Sequence, residues 1–264
     1  MSLTAEQFAR ASALEARQLK LRRMERMSYR QLRALLAGDP AEAAAWVLCA
    51  AEHGVPAAQL RLGRMLLEGV GVPRNEKAAL EWFSRAARAG NAEAENMVGR
   101  CHENGWGVRV DLVRAAAHYC SSAVGGHDWG EYNFGNMLFD GRGVERDVPQ
   151  ALCWYLRAAR QGHGRAMNLM GRCLEEGWGC PRSAQDAAYW YRRSAESGYF
   201  RGQLNHALVL AEQGDCEQAA PWFWKAAVAG DSPFRRVVAA ALAKATHPAL
   251  LDVAARVRAI SDQS

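Results

Sequence analysis

The sequence predicts an all-α protein, an α-solenoid of stacked helix-turn-helix repeats. Three observations predict it. The stretch "GRCHENGWGV" at residues 99–108 returns as "GRCLEEGWGC" at 171–180, and four blocks of equal length align without gaps at 55–90, 91–126, 127–162 and 163–198. Fixed-period self-similarity of this length is the mark of stacked supersecondary units. Each block also carries the same punctuation: Gly63, Gly99, Gly135 and Gly171, then a GxG turn, then a closing Gly90, Gly126, Gly162 or Gly198. Finally, a residue whose side chain can cap a helix recurs at one register, as Asp39, Asn75, Asp111, Asp147, Ser183 and Asp215.

Within a block the first helix runs about a dozen residues, with apolar positions such as Leu60, Leu62, Met65 and Leu66 at helical spacing. The GxG breaks it, because glycine adopts backbone conformations that other residues resist. The second helix starts at the capping residue; Pro40 after Asp39 suits a first helical position. It carries Ala79, Ala115, Ala151 or Ala187, then Trp82, His118, Trp154 or Trp190, then a further aromatic. We expect the Gly63 column to face the Ala79 column, so that paired helices approach closely. We expect the Trp column to fill the space between neighbours, each large aromatic contributing about 2–3 kcal/mol by burial.

Shortened versions flank the array at 23–54 and 199–230, lacking the full turn. The chain is therefore read as a basic capping helix at 1–22, six repeats (23–54, 55–90, 91–126, 127–162, 163–198, 199–230) and C-terminal capping helices at 231–264. "SYRQ" from Ser28 is a capping box, Asp231 with Pro233 starts one terminal helix and Pro248 starts another. An end repeat needs such a cover for its apolar face. The segment from 5 to 27 could alternatively dock a partner or form a dimer contact.

Composition narrows the function classes. No apolar run is long enough for a transmembrane helix, and the N-terminus has neither an apolar core segment nor a small-residue cleavage site, so no signal peptide is expected. Seven cysteines, an odd number without a CxxC pair, suit free thiols in a reducing cytoplasm. The net charge of +5 is concentrated in residues 1–36, where eight basic residues meet three acidic ones. The rest is balanced, so no broad nucleic-acid-binding face is expected.

The features that look like chemistry read as structure. Cys101, His102 and Glu103 are consecutive on a helix, point in different directions and cannot converge on one metal. His102 occupies the column of Leu66, Leu138, Leu174 and Leu210, so a packed position is expected. The GxG turns lack the preceding strand and third glycine of a dinucleotide site, and the GK[ST] of a phosphate loop. His127 and His163 fall where first helices begin. Trp106 and Trp178 either cover the solenoid edge or stand as exposed anchors.

The pattern carried by residues 62–90, "LG", "GVGV", then Ala79, "WF", "AA" and Gly90, closely resembles the Sel-one-like repeat (SLR) family, a branch of the tetratricopeptide-like helical repeats. The resemblance covers about residues 23–230. It implies a right-handed superhelix and a bacterial or eukaryotic adaptor that assembles protein complexes, with no catalytic motif residue. A cysteine-rich branch of the family is associated with β-lactam binding and pairs its cysteines within each repeat; here the cysteines fall in mixed columns.

In such a superhelix the concave groove is lined mainly by first helices. Reading the uncommitted face of each block gives Asn96, Met97 and Arg100, then Trp129, Tyr132, Asn133 and Asn136, then Arg165, Asn168 and Arg172, then Arg201 and Asn205. The set is rich in Asn, Arg and aromatics and poor in Lys and Glu. Asn can pair both backbone groups of an extended peptide, Arg can fork onto a carboxylate, and Trp or Tyr can anchor an interface. The candidate partner-binding residues are Arg100, Trp129, Tyr132, Asn133, Asn136, Asn168, Arg172 and Asn205. The alternative is that they satisfy one another inside the solenoid. The expected function is a non-enzymatic, cytoplasmic, bacterial scaffold or adaptor for a protein or peptide, without cofactor, metal, nucleic acid or membrane insertion, as a monomer or weak homodimer. The other readings are an immunity protein or inhibitor for one toxin, and a weak β-lactam-binding or hydrolysing enzyme.

Overall fold

The computed structural model describes residue 27 and residues 29–261. The expected basic helix at 1–22 and the capping box from Ser28 lie outside the described residues. All regular structure among the described residues is helical, and consecutive helices pack as repeated pairs. The chain forms two compact units, residues 1–130 and 131–264. The first holds α1 (Tyr29–Ala37), α2 (Pro40–Glu52), α3 (Pro56–Glu68), α4 (Glu76–Arg88), α5 (Ala92–Asn104) and α6 (Leu112–Val124). Next come α7 (Asp128–Asp140), α8 (Val148–Arg160), α9 (Gly164–Glu176), α10 (Ala184–Glu196), α11 (Phe200–Glu212), α12 (Cys216–Ala229), α13 (Ser232–Ala241) and α14 (Pro248–Ser261).

The helix boundaries follow from local chemistry. All six expected capping residues accept a hydrogen bond from the backbone N–H three positions on, at 2.8 to 3.4 Å. Each satisfies one of the free amides of a first turn. Asn91 and His163 cap first helices in the same way, His163 accepting the Ala166 N–H on Nδ1. The first helices of the four full-length repeats end on a left-handed glycine, as at Gly105 with φ 76°. The second glycine of the turn has another task. A Cβ on Gly107 would stand 2.5 Å from the carbonyl oxygen of Glu76, the first residue of α4 in the preceding repeat. The turn thus lies on the start of that helix, and only a residue without a side chain fits.

The core refines two expectations. The Gly63 column lies chiefly against the aromatic four residues after the Ala79 column, with the Ala115 carbonyl oxygen also 3.2 Å from a Cβ on Gly99. A Cβ on Gly63 would strike the Phe83 ring, and Cβ atoms on Gly99, Gly135 and Gly171 would lie 2.6 to 2.7 Å from the rings of Tyr119, Tyr155 and Tyr191. The Trp column does pack between neighbouring repeats, Trp82 lying beside Val47 of the preceding repeat and Leu62 and Met65 of its own, but it is only half-buried, with Arg85 stacked on its outer side. The deeply buried column is the next residue: Phe83, Tyr119, Tyr155, Tyr191 and Phe223. A flat ring over a bare glycine brings the two helices of a pair into contact without a void.

Between repeats, small residues are matched in size. Ala86 and Ala158 are followed eight residues later by Ala94 and Ala166, whereas Ser122 and Ser194 are followed by Gly130 and Gly202. A Cβ on Gly130 or Gly202 would collide with the serine Oγ. The larger side chain on one helix is offset by its absence on the next. Both serines donate onward, Ser122 to the Ala92 carbonyl at 2.6 Å and Ser194 to the Gly164 carbonyl at 2.7 Å. At the end of the chain, Asp231 caps α13, and Phe234, Val238, Leu242, Val253 and Val257 join Leu204 and Phe223 in one apolar cluster.

Candidate functional site

The second unit contains a groove of about 540 Å³. Its floor and sides come from one face of α9 (Arg165, Asn168, Leu169, Arg172) and one face of α11 (Arg201, Leu204, Asn205). Spacings of three and four residues place each set on a single helical face. Tyr132 of α7 and Tyr199 close one side, and Phe234 and Val237 of α13 supply an apolar wall. Four of the eight candidate residues line this groove: Tyr132, Asn168, Arg172 and Asn205.

The other four stand elsewhere. Arg100 and Trp129 belong to the first unit. Arg100 lies over the Trp106 ring at 5.0 Å and reaches the Met97 sulfur, while Trp129 is exposed. Asn136 accepts the Tyr155 hydroxyl at 2.8 Å, and Asn133 is half-buried on α7. Asn96 and Met97, read from the sequence as part of the exposed face, are buried.

The asparagines are partly satisfied within the fold. Asn205 donates through Nδ2 to Asn168 Oδ1 at 2.8 Å, which links successive first helices across the groove floor. An amide side chain offers four hydrogen-bonding positions, so the half-buried Asn205 keeps capacity beyond this bond, while Asn168 is buried beneath it. Tyr132 packs its ring 4.8 Å from that of His163. Arg172 lies over the Trp178 ring at 5.2 Å, and Arg201 lies 5.7 Å from Phe200 and 5.9 Å from Phe234. Glu175, the acidic residue of the lining, accepts the Tyr191 hydroxyl at 2.7 Å. The groove therefore presents three guanidiniums beside an apolar wall. Burial pushes the Tyr199 phenol up, and the charges of Arg201, Arg165 and Arg172 oppose that push; Arg165 lies over the Tyr199 ring at 5.8 Å.

The first unit has a groove of about 700 Å³, lined by Leu36, Leu60, Met65 and Val70 with Arg61, Arg64 and Glu93. Its arginines are engaged internally. Arg61 donates to the Leu36 carbonyl at 3.0 Å, and Arg64 forms an ion pair with Glu93.

The motif "GRC" to "GWG" resolves as packing. Burial pushes the Cys101 and Cys173 thiols up to about 12, so neither is a thiolate near neutral pH. His102 is buried, stacked 5.6 Å from His118, whose Nδ1 meets Glu95 Oε2 at 2.7 Å. Trp106 and Trp178 are half-buried beneath Arg100 and Arg172, so they cover the repeat edge instead of projecting as anchors. All seven cysteines are free. The within-repeat pairing of the β-lactam-associated branch is therefore absent from them.

The Sel1 repeat family model matches residues 24–55, 56–91, 92–127, 130–163 and 164–199. The chain belongs to the Sel1 repeat family. Sel1 repeat proteins generally mediate protein–protein interaction and are typically non-catalytic scaffolds. Among solved structures, the chain is similar to a protective antigen with an SLR fold present in uropathogenic Escherichia coli strains, at 31% identity and TM-score 0.69. That match covers 85% of this chain and 49% of the antigen, so the chain spans about half the length of that relative. It is also similar to a Sel1 repeat protein from Oxalobacter formigenes, at 28% identity and TM-score 0.65, over 70% of this chain and 76% of that one. An immunity protein from Pseudomonas aeruginosa shares the fold at 16% identity and TM-score 0.53, over 79% and 80% of the two chains. The search of curated proteins finds no match. No described helix is long and apolar enough to cross a membrane.

The sequence reading missed the apolar half of the groove. Leu169 and Leu204 are not among the residues read on the first-helix face, and Phe234 and Val237 sit in a helix beyond the repeat register. The signal that was present is the arginine column itself: Arg165 and Arg201 stand where an earlier repeat has Glu93.

Proposed function

We propose that this Sel1 repeat protein is a non-catalytic binding module that takes an extended segment of a partner protein in the groove of residues 131–264. The observation that carries the reading is the lining itself. Two successive first helices set the half-buried amide of Asn205, held by the buried Asn168, together with guanidiniums and an apolar wall along one open channel. An extended peptide presents backbone groups and alternate side chains that need all three. An adaptor and an inhibitor of one toxin use the same surface and differ in affinity. The fold shared with the Pseudomonas immunity protein is compatible with both.

The test is selection of random peptides displayed on phage against wild type, with recovered clones re-tested on Val237→Trp. Val237 is half-exposed on the groove wall, so a larger ring there fills the channel without disturbing the core. Loss of binding to this variant, at unchanged melting temperature, supports the reading. Clones that bind both proteins equally would contradict it.

A further inference from the structure

The two units treat one recurring pair of positions in opposite ways. A residue near the end of one first helix faces a residue near the start of the next, 29 positions on in both units. In the first unit these are Arg64 and Glu93, which form an ion pair. In the second unit the same step leads from Arg172 to Arg201. Both line the groove. Neither has a carboxylate within ion-pair distance among the described residues; their close neighbours are the rings of Trp178, Phe200 and Phe234. Glu175, the groove's own carboxylate, accepts the Tyr191 hydroxyl on Oε2 and forms no ion pair with either arginine. The second unit keeps the cation of the pair and puts a second cation in the anion's place. Two guanidiniums facing one channel repel each other, and an anion between them is attracted by both.

We propose that Arg172 and Arg201 together receive a carboxylate of the partner segment, in the place that Glu93 fills in the first unit. The wall of Phe200, Leu204, Phe234 and Val237 takes a neighbouring apolar side chain. The occupant is an acidic peptide with an aromatic or aliphatic residue beside the acid. The inference rests on the reading of the groove as a protein-binding site and adds the chemistry of its ligand.

Fluorescence anisotropy tests it with two labelled hexapeptides, one with three aspartates followed by phenylalanine and one with asparagines in their place. The full chain is used as wild type, Arg172→Gln, Arg201→Glu and Val237→Trp. Charge-assisted bonds to a carboxylate predict that wild type prefers the aspartate peptide by roughly tenfold or more. Arg172→Gln and Arg201→Glu each remove that preference. Arg201→Glu keeps the melting temperature of wild type or exceeds it, because it restores an internal pair; this separates loss of the site from loss of the fold. Equal affinity for the two peptides, no binding of the aspartate peptide up to about 1 mM, or unchanged binding by both arginine variants overturns the proposal. If both peptides bind equally and Val237→Trp weakens both, the groove reading stands without its acidic ligand. If Val237→Trp changes nothing, both fall.

Discussion

In the first unit Arg64 reaches across one repeat boundary to Glu93; in the second, the same step carries Arg172 to Arg201. Around this difference the two units are built alike. Both place a ring over a bare glycine, match Ser with Gly between repeats, and open a groove on the first-helix face. A repeat fold multiplies its packing rules, so what differs between copies is where function can reside. Here the difference is the sign of the charge at one position, and it separates a groove in which Arg64 has a carboxylate partner from one in which Arg172 and Arg201 have none within ion-pair distance among the described residues.

The predictions break or sharpen this comparison. The largest effect tests the shared packing. Gly171→Val pushes atoms into the Tyr191 ring and is expected to cost about 3 kcal/mol, the upper range for overpacking. Gly99→Val against Tyr119 should cost a similar amount in the first unit. Urea unfolding of each variant measures both, and a loss confined to one unit would show that the packing is not shared.

Gly202→Ala comes next, at about 2 kcal/mol, because its methyl meets Ser194 Oγ. Adding Ser194→Ala removes the Oγ contact but keeps the Ser194 Cβ at 2.5 Å and its backbone carbon at 2.9 Å, so it should recover only part of the loss, less about 1 kcal/mol for the bond to the Gly164 carbonyl. Strict additivity of the two substitutions would refute the size matching.

His102→Leu installs the residue of the other repeats and removes a buried Nδ1 that has no partner. It should stabilise by about 1 kcal/mol. Burial, with a smaller contribution from the neighbouring His118, holds the His102 pKa below its ordinary 6.5. The unfolded chain therefore takes up a proton first as pH falls. The stability linked to His102 is complete above about 6.5 and is lost as pH drops through the lower folded value. Melting curves from pH 7.5 to 5 should show a shallower acid loss for His102→Leu than for wild type. His206 in the second unit is shifted the same way by burial and should leave part of the slope in place.

The smallest effect is that of Glu93→Gln. It removes a half-exposed ion pair and should cost only about 0.2–1 kcal/mol. A larger loss in denaturant unfolding would mean that the pair holds the first unit together, and that the second unit must replace it by some other contact.

Most of the fold was legible because its determinants are local. A capping oxygen and a left-handed glycine act within one turn, so one sequence displays them. The partner of Gly63 was not legible. Ala79 and Phe83 are one turn apart on the same helical face, and periodicity does not say which of them reaches the glycine. A similar ambiguity put Asn96 and Met97 on the exposed face when they are buried. The candidate site was half legible. Tyr132, Asn168, Arg172 and Asn205 follow from repeat register, whereas Phe234 and Val237 arrive from a helix that no register predicts.

The most direct measurement is calorimetric titration of the aspartate peptide, read as stoichiometry, into wild type, Arg201→Glu and Glu93→Arg. If the sign of the charge at this one position decides which groove is open, wild type binds one peptide, Arg201→Glu binds none, and Glu93→Arg, which gives the first unit the arginine pair of the second, binds two. A stoichiometry that neither exchange alters would contradict the account.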